Sequence, residues 1–198
     1  MRVVVLTVDQ HGSQTRADQV PAALAELATS VPARLAFQRT AGDEFQGVLD
    51  DPAALAVAIE YLLRAQAWNI GIGIGEVETP LPDQARAGRG PAYVAARAAV
   101  TAAKSSPWRL RVSGPADAAR ALESALWLWA ALLARRTDRG WEVADLVDQG
   151  LTYDETATRL GITQSAVSQR AAAAGIAEGR RARELAGFLT RTALEADR

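Results

Sequence analysis

The 198-residue chain has no cysteine, a single histidine and a single lysine. The absence of cysteine excludes disulfides and metal sites built from thiolates. Because His11 is the only histidine, metal clusters of several histidines and catalytic arrangements that need a second histidine in one chain are excluded as well. A metal site in this chain would therefore depend on oxygen ligands.

Long hydrophobic runs are also missing. The longest, residues 125–134, is much shorter than the ~20 residues of a membrane span and ends at Arg135 and Arg136. The apolar stretch at residues 3–6 is too short for a signal peptide, and no small-residue cleavage site follows it. With 49% hydrophobic and 23% charged residues, the composition is typical of a globular protein. We expect a cytoplasmic protein without a membrane partner.

The first part of the chain alternates between strand and helix patterns. The predicted elements are a strand at 2–9, a helix at 15–30, strands at 35–39 and 44–49, a helix from 51, a strand at 70–77, a helix at 91–104 and a strand at 108–112. The order β-α-β-β-α-β, followed by α-β, predicts an α+β fold with a ferredoxin-like core and one added unit.

One predicted strand, IGIGIGEV at residues 70–77, places a glycine at every second position. Because glycine has no Cβ, Gly71, Gly73 and Gly75 allow the backbone of a neighbouring element to approach closely. We expect a helix or strand to pack directly on this face.

After residue 114 the pattern becomes helical. Residues 115–136 predict a long helix whose apolar face is wide for a single packing partner. It can bridge two domains, form a dimer interface or pack against the sheet, and the sequence leaves these alternatives open. We divide the chain into a ferredoxin-like domain at 1–114, a connecting helix at 115–139 and an all-α domain at 140–198, which ends in a helix at 178–195.

The strongest local signal is a helix-turn-helix pattern at residues 154–175. Ala157, Gly161 and Val167 have the spacing A-x3-G-x5-V. A small residue at 157 lets the two helices approach, Gly161 supplies the positive φ that ends the first helix, and Val167 fills the angle between them. The alternatives are a plain antiparallel helix pair and a unit that docks a protein.

Polar side chains on the second helix suit contact with double-stranded DNA. Thr163 is a good N-cap for this helix. Short polar groups at its start suit base edges in the major groove, and nearby arginines suit phosphates. The predicted DNA-binding residues are Thr163, Gln164, Ser165, Ser168, Gln169 and Arg170, with Arg180, Arg181 and Arg183 from the run GRRAR at 179–183. The net charge of the whole chain is −1, but residues 159–183 carry five arginines and one glutamate, which makes a local basic patch. Its modest size indicates either weak non-specific affinity or a homodimer that doubles the patch, and we expect the homodimer.

Acidic residues mark a second candidate site in the first domain. Asp9 ends the first strand, and Asp43 lies on the hairpin turn that the topology places beside it. Together they can hold Mg²⁺ or Mn²⁺ through oxygen ligands, while the loop at Gly12 and Ser13 offers backbone N–H groups to a nucleotide phosphate at a helix start. The simpler alternative is that Asp9 caps a helix and Asp43 is a turn residue.

Two segments resemble nucleotide-forming enzymes. AGDEF at 41–45 resembles the hairpin motif of diguanylate cyclases and class III nucleotide cyclases, and GRGPAYVAARAA at 88–99 resembles a cyclase helix that carries an Asn and an Arg. Arg97 stands at the Arg position and Tyr93 at the Asn position. The resemblance implies that Arg97 contacts phosphate, although a salt bridge to a nearby acid is the alternative.

The whole chain is most similar to the SatD-like family, which pairs a degenerate cyclase-like domain with a C-terminal helix-turn-helix. The similar segments are VVVLTVDQHGS at 3–13, GDEFQG at 42–47, IGIGEVET at 72–79, GPAYVAARAA at 90–99 and ITQSAVSQRAAAAGI at 162–176. The resemblance implies a transcriptional regulator. A nucleotide cyclase, a non-catalytic nucleotide sensor and a protein-interaction module remain as alternatives.

Overall fold

A computed structural model describes residues 1–196 of the chain. It is a mixed α+β structure with one five-stranded sheet and eight α-helices among these residues. The strands are β1 (Arg2–Gln10), β2 (Leu35–Ala41), β3 (Glu44–Leu49), β4 (Trp68–Glu76) and β5 (Leu110–Ser113). The helices are α1 (Val20–Ser30), α2 (Pro52–Ala65), α3 (Pro91–Ala103), α4 (Ala116–Leu133), α5 (Asp138–Asp148), α6 (Tyr153–Leu160), α7 (Gln164–Ala173) and α8 (Ile176–Glu195). The predicted α+β class is confirmed.

The sheet has the strand order β2-β3-β1-β4-β5, and all neighbouring pairs are antiparallel except β4 and β5. β1 lies in the centre, and its apolar residues alternate between two buried clusters, one on each face of the sheet. At its carboxyl end Asp9 lies opposite Glu44 of β3 and Asn69 of β4. Asp9, at the carboxyl end of the central strand, therefore lies at one end of the sheet, between residues of both neighbouring strands.

Helix α1 differs from its prediction. The sequence predicts a helix from residue 15, but α1 begins at Val20. Residues 11–16 form turns, and residues 17–19 have no regular secondary structure. The Gln10 side chain explains the difference, because its amide donates to the Ala17 carbonyl at 2.7 Å and accepts from the Gln19 backbone N–H at 2.9 Å. These two bonds hold residues 17–19 against the end of β1, and the helix starts immediately afterwards.

Helix α3 packs on the glycine face of β4, as the sequence predicts. A Cβ at Gly71 would overlap the backbone of Val100, and a Cβ at Gly73 would overlap the backbone of Ala92 and Ala96. The alanine face of α3 can therefore rest almost directly on the strand. The opposite face of the sheet is covered by the larger apolar core, to which α1, α2, α4 and α8 contribute.

Helix α8 packs against α2 and α4. Ala186 and Ala193 are buried in the same core as the sheet residues, while Ile176 at the start of α8 joins the core of α5–α7. The last helix therefore connects the two cores.

The predicted all-α domain at 140–198 also includes residues 197 and 198, which lie outside the described part of the chain. None of the helices in residues 1–196 has the length and apolarity needed to span a membrane.

Three charged side chains join the sheet domain to the C-terminal helices, and we call Glu60, Arg136 and Arg183 the charged joint. The Glu60 carboxylate of α2 accepts from Arg183 of α8 at 2.5 and 2.8 Å and lies 3.7 Å from Arg136. Only 3% of the Arg136 side chain is exposed, and this burial lowers the pKa of its guanidinium. Arg136 also donates to the Ala174 carbonyl between α7 and α8 at 2.8 Å.

The indole of Trp141 on α5 reinforces this junction. It lies between two guanidinium groups, with Arg64 at 4.3 Å and Arg136 at 4.6 Å from the ring. Arg64 also makes two hydrogen bonds to Asp145 of α5, at 2.6 and 2.9 Å, and these bonds raise its pKa. Helix α5 is therefore tied to α2 by a stacked aromatic ring and a bidentate ion pair.

We expect Gly73→Ala to lower the free energy of unfolding by about 2–3 kcal/mol, because the added methyl group pushes α3 away from β4. Gly75→Ala is the matched control, since its added Cβ would lie 3.3 Å from the Ala92 nitrogen. The control should change stability by at most about 1 kcal/mol. Urea denaturation followed by circular dichroism measures both, and equal stability of the two variants would contradict close α3–β4 packing.

We expect Glu60→Gln to destabilise the protein by about 3 kcal/mol, because Arg136 and Arg183 lose a common anionic partner in a largely buried site. Glu184→Gln serves as the control, because it breaks an exposed pair with Arg181 and should cost less than about 1 kcal/mol. Denaturant unfolding gives both values. A Glu60→Gln variant as stable as the control would show that the charged joint does not stabilise the protein.

Candidate functional site

The first candidate site is the surface of the three-helix unit formed by α5, α6 and α7. Its core contains Val143, Ala157, Val167 and Ala171, all buried. Ala157 and Val167 thus occupy the inner positions that the sequence predicts. Gly161 ends α6 with φ of +65°, the conformation that favours glycine at this point.

Both helices of the predicted motif have well-formed N-termini. Thr152 and Glu155 form a capping box at α6, and hydrogen bonds from the Thr152 backbone N–H and hydroxyl lower the pKa of Glu155. Thr163 caps α7 as predicted, because its hydroxyl accepts from the Ala166 backbone N–H at 3.1 Å. The start and direction of α7 are therefore determined by local hydrogen bonds.

The outer face of α7 is polar and unpaired. Thr163, Gln164, Ser165, Ser168 and Gln169 are exposed, and Arg170 is half-buried. Within residues 1–196, the side chains of α7 from Gln164 to Arg170 make no hydrogen bond or ion pair. Amide, hydroxyl and guanidinium groups on one exposed helix face can bind base edges and phosphates without first breaking internal contacts.

The three arginines of the run GRRAR have different environments. Arg183 belongs to the charged joint and also contacts Asp148 at 3.2 Å, while Arg180 contacts the same carboxylate at 3.3 Å. Burial lowers the pKa of Arg183, but attraction to Glu60 and Asp148 outweighs burial and raises it. Arg181 is 83% exposed and pairs only with the neighbouring Glu184. Of the three, Arg181 is the one whose charge is accessible to a phosphate.

Arg159 is a residue that the sequence analysis did not select. It lies in the last turn of α6, is exposed and makes no ion pair within the described chain. It precedes Gly161 by two residues, just before the turn that leads into α7. The signal in the sequence was the helix-turn-helix spacing itself, which puts residue 159 on the outer side of the first helix.

The second candidate site is an open pocket of about 510 Å³ at the carboxyl end of β1. It brings together four of the five residues predicted for metal and phosphate, namely Asp9, Asp43, Gly12 and Ser13. His11, Asn69, Lys104 and Arg109 also line it. The predicted juxtaposition of the β1 end with the hairpin therefore occurs, supported by a hydrogen bond from the Gln10 N–H to the Asp43 carbonyl at 3.0 Å.

Asp9 is already partnered in this pocket. Its carboxylate accepts from the Asn69 amide at 2.8 Å and from the Lys104 ammonium at 3.4 Å. The described residues contain no group of three acidic or histidine side chains that could hold a metal ion. Two carboxylates fit Mg²⁺ or Mn²⁺ only when other oxygens, such as those of a triphosphate, complete the coordination. Lys104 and Arg109 supply positive charge that would attract such a phosphate.

The Gly12–Ser13 loop does not have the predicted relation to a helix. Because α1 begins at Val20, residues 12 and 13 lie within the turns that precede it and not at a helix N-terminus. Gly12 has φ of +71°, and its carbonyl accepts from the Thr15 and Arg16 backbone N–H groups. The helix dipole therefore contributes nothing to phosphate binding by this loop.

Arg97 does not line the pocket. Its guanidinium makes two hydrogen bonds to the Glu44 carboxylate, one of them from Nη2 to Oε1 at 2.8 Å. Glu44 is nearly buried and also accepts from the Thr40 hydroxyl at 2.6 Å. This is the salt bridge that the sequence analysis gave as the alternative to phosphate contact. The cations of the pocket, Lys104 and Arg109, were not predicted, because their approach depends on the α3–β5 connection.

No protein-family model matches this chain, and comparison with curated proteins and with solved structures finds no match.

We expect Lys104→Gln to raise the affinity of the pocket for Mn²⁺ by about fivefold, because it removes a positive charge beside Asp9. Mn²⁺ titration followed by electron paramagnetic resonance, at constant ionic strength, measures the change. Arg120→Gln, which makes the same change of net charge at another exposed site, is the control. If Lys104→Gln and Arg120→Gln shift the affinity equally, the ion does not bind beside Asp9.

Proposed function

We propose that this protein is a DNA-binding transcriptional regulator, in which α5–α7 form a helix-turn-helix and α7 is the recognition helix. The observation that carries the proposal is the outer face of α7, which is polar and largely exposed and whose side chains have no hydrogen-bond or ion-pair partner within residues 1–196. The buried positions of Ala157 and Val167 and the positive φ of Gly161 support the same conclusion.

The proposed DNA contacts divide by role. Gln164 and Ser165 in the first turn of α7 and Ser168 and Gln169 in the next are the proposed contacts to base edges. Arg170 is the proposed phosphate contact from α7. Arg159 and Arg181 are better placed for phosphate contact than Arg180 and Arg183, which hold Asp148 and Glu60. Both are exposed, and the pair that Arg181 makes with Glu184 is itself on the surface.

The sheet domain is proposed to serve assembly or sensing. The arrangement β2-β3-β1-β4, with a helix after β1 and another after β3, supports a ferredoxin-like core to which β5 is added. With the helix-turn-helix, it supports the SatD-like resemblance. We propose a homodimer, because one recognition helix covers only a few base pairs and two copies would read a two-fold symmetric site.

A second candidate function is nucleotide sensing without turnover. The pocket at the end of β1 combines two carboxylates with two cations, a set that suits a triphosphate together with Mg²⁺ or Mn²⁺. Arg97, the residue that the cyclase resemblance assigns to the reacting phosphate, is instead paired with Glu44. This pairing favours binding over catalysis. Calorimetric titration with ATP and GTP in the presence of Mg²⁺, and with Asp9→Asn as the control variant, tests it.

We expect the purified protein to retain a small set of sites from sheared genomic DNA at near-physiological salt. Gln164→Ala should relax the sequence preference, at a cost of about tenfold in specific affinity, because one base-edge contact is lost. Arg170→Ala should weaken binding to all sequences and reduce its salt dependence. Sequencing of the retained DNA and filter binding at several salt concentrations measure these effects.

Arg120→Ala is the matched control for charge, since Arg120 is an exposed arginine on α4. It should bind DNA as the unmodified protein does. Circular dichroism must show that every variant is folded. If Gln164→Ala and Arg170→Ala both retain the same sites with unchanged affinity, α7 is not the recognition helix, and a protein-docking role for α5–α7 becomes the better explanation.

A further inference from the structure

A separate cavity of about 180 Å³ lies between the end of α2, the start of β4, the segment before β5 and the last turn of α4. Leu62, Ile70 and Ala130 form apolar parts of its wall, and the indoles of Trp68 and Trp108 line it as well. A cavity of roughly 150 Å³ is large enough to hold benzene, so this one has room for a single aromatic ring with a small substituent.

The indole of Trp68 contains an unpaired polar group. The residue is 3% exposed, and its Nε1 finds no hydrogen-bond acceptor among the described residues. Buried indole N–H groups usually have a partner, because leaving one unpaired costs desolvation energy. Because Trp68 lines the cavity, a ligand oxygen that reached this N–H would provide the missing acceptor.

Arg109 provides the only charge among the residues that line this cavity. Its φ of +49° is a conformation that L-residues rarely adopt, and it is not at the end of a helix, where such values are common. Its guanidinium has a 3.2 Å bond to the Asn69 side chain and a marginal 3.5 Å contact with the Lys104 carbonyl. Most of its five donors therefore have no acceptor within residues 1–196 and can bind an anion.

We propose that this cavity binds a small aromatic carboxylate. The ring lies against the two indoles and the apolar wall, the carboxylate accepts hydrogen bonds from the Arg109 guanidinium, and an oxygen accepts from the Trp68 N–H. The site contains no acidic side chain, so an anion is favoured over a neutral or cationic ring of the same size.

The position of the cavity gives the ligand contact with α2, which carries Glu60 of the charged joint, and with α4, which ends three residues before Arg136. Leu62 and Leu63 on α2 are neighbours of Glu60 and Arg64, and Ala130 on α4 precedes Arg136 along the same segment. This inference stands independently of the DNA-binding proposal, because it rests on the sheet domain and α4 alone and is tested without DNA.

Benzoate and its neutral counterpart benzamide are the probes. Two-dimensional NMR of the ¹⁵N-labelled protein shows the five tryptophan indole N–H signals, and Trp→Phe variants assign them. We expect benzoate to shift the Trp68 and Trp108 signals with a Kd of about 1 mM, the range for a ligand of this size. Benzamide should bind about tenfold more weakly, because it lacks the charge that pairs with Arg109.

Arg109→Asn tests the anion contact, because asparagine tolerates positive φ and removes the guanidinium. It should lower benzoate affinity about tenfold and leave benzamide binding unchanged, while Arg120→Asn, the control, should change neither. Ala130→Leu fills the cavity and should abolish the binding of benzoate and of benzamide. If Ala130→Leu does not fold, Trp108→Ala replaces it as the test, because Trp108 is half-exposed and its loss removes one wall of the cavity. An unshifted Trp68 signal at about 20 mM benzoate, or equal benzoate binding by Arg109→Asn, would overturn the proposal.

Discussion

The arrangement of the molecule depends on one carboxylate, that of Glu60, which lies between two arginines from different parts of the chain. Arg136 follows α4 and Arg183 lies on α8, so a single anion on α2 holds both C-terminal segments against the sheet domain. Arg136 is so deeply buried that its charge requires this partner. The Trp141 stack and the Arg64–Asp145 pair then hold α5 at the same junction. The orientation of α7 follows from these contacts, because α5–α7 share one core.

A second constraint comes from the glycine face of β4. The close approach of α3 leaves the carboxyl end of β1 near the end of that helix, where Lys104 reaches Asp9. The same strand places its isoleucines on the opposite face, against α2 and α4. The two candidate ligand sites of the sheet domain are thus on either side of the segment around Arg109, which lines both. Arg97 is paired with Glu44, so its charge is not among those that line the pocket at the end of β1.

Much of the local structure could be predicted because its causes are local. The strand and helix order follows from hydrophobic periodicity, and the Thr163 cap and the positive φ of Gly161 follow from the backbone preferences of those residue types. The meeting of Asp9 and Asp43 in one pocket was predictable from strand order alone. The late start of α1 was not, because it depends on the hydrogen bonds of one buried amide, Gln10, with residues 17–19.

Local sequence preferences specify which segments form strands and helices, where α7 begins, and which polar side chains it presents. Those properties arise from interactions over a few residues. Which arginines are paired within the protein, in contrast, depends on the tertiary structure. Arg183 and Arg97 are paired with Glu60 and Glu44, which are distant along the chain, whereas Arg159 and Arg170 have no such partner among the described residues 1–196. A charge becomes available to a ligand only when the folded chain leaves it unpaired, and pairing between distant residues leaves no periodic pattern in a sequence.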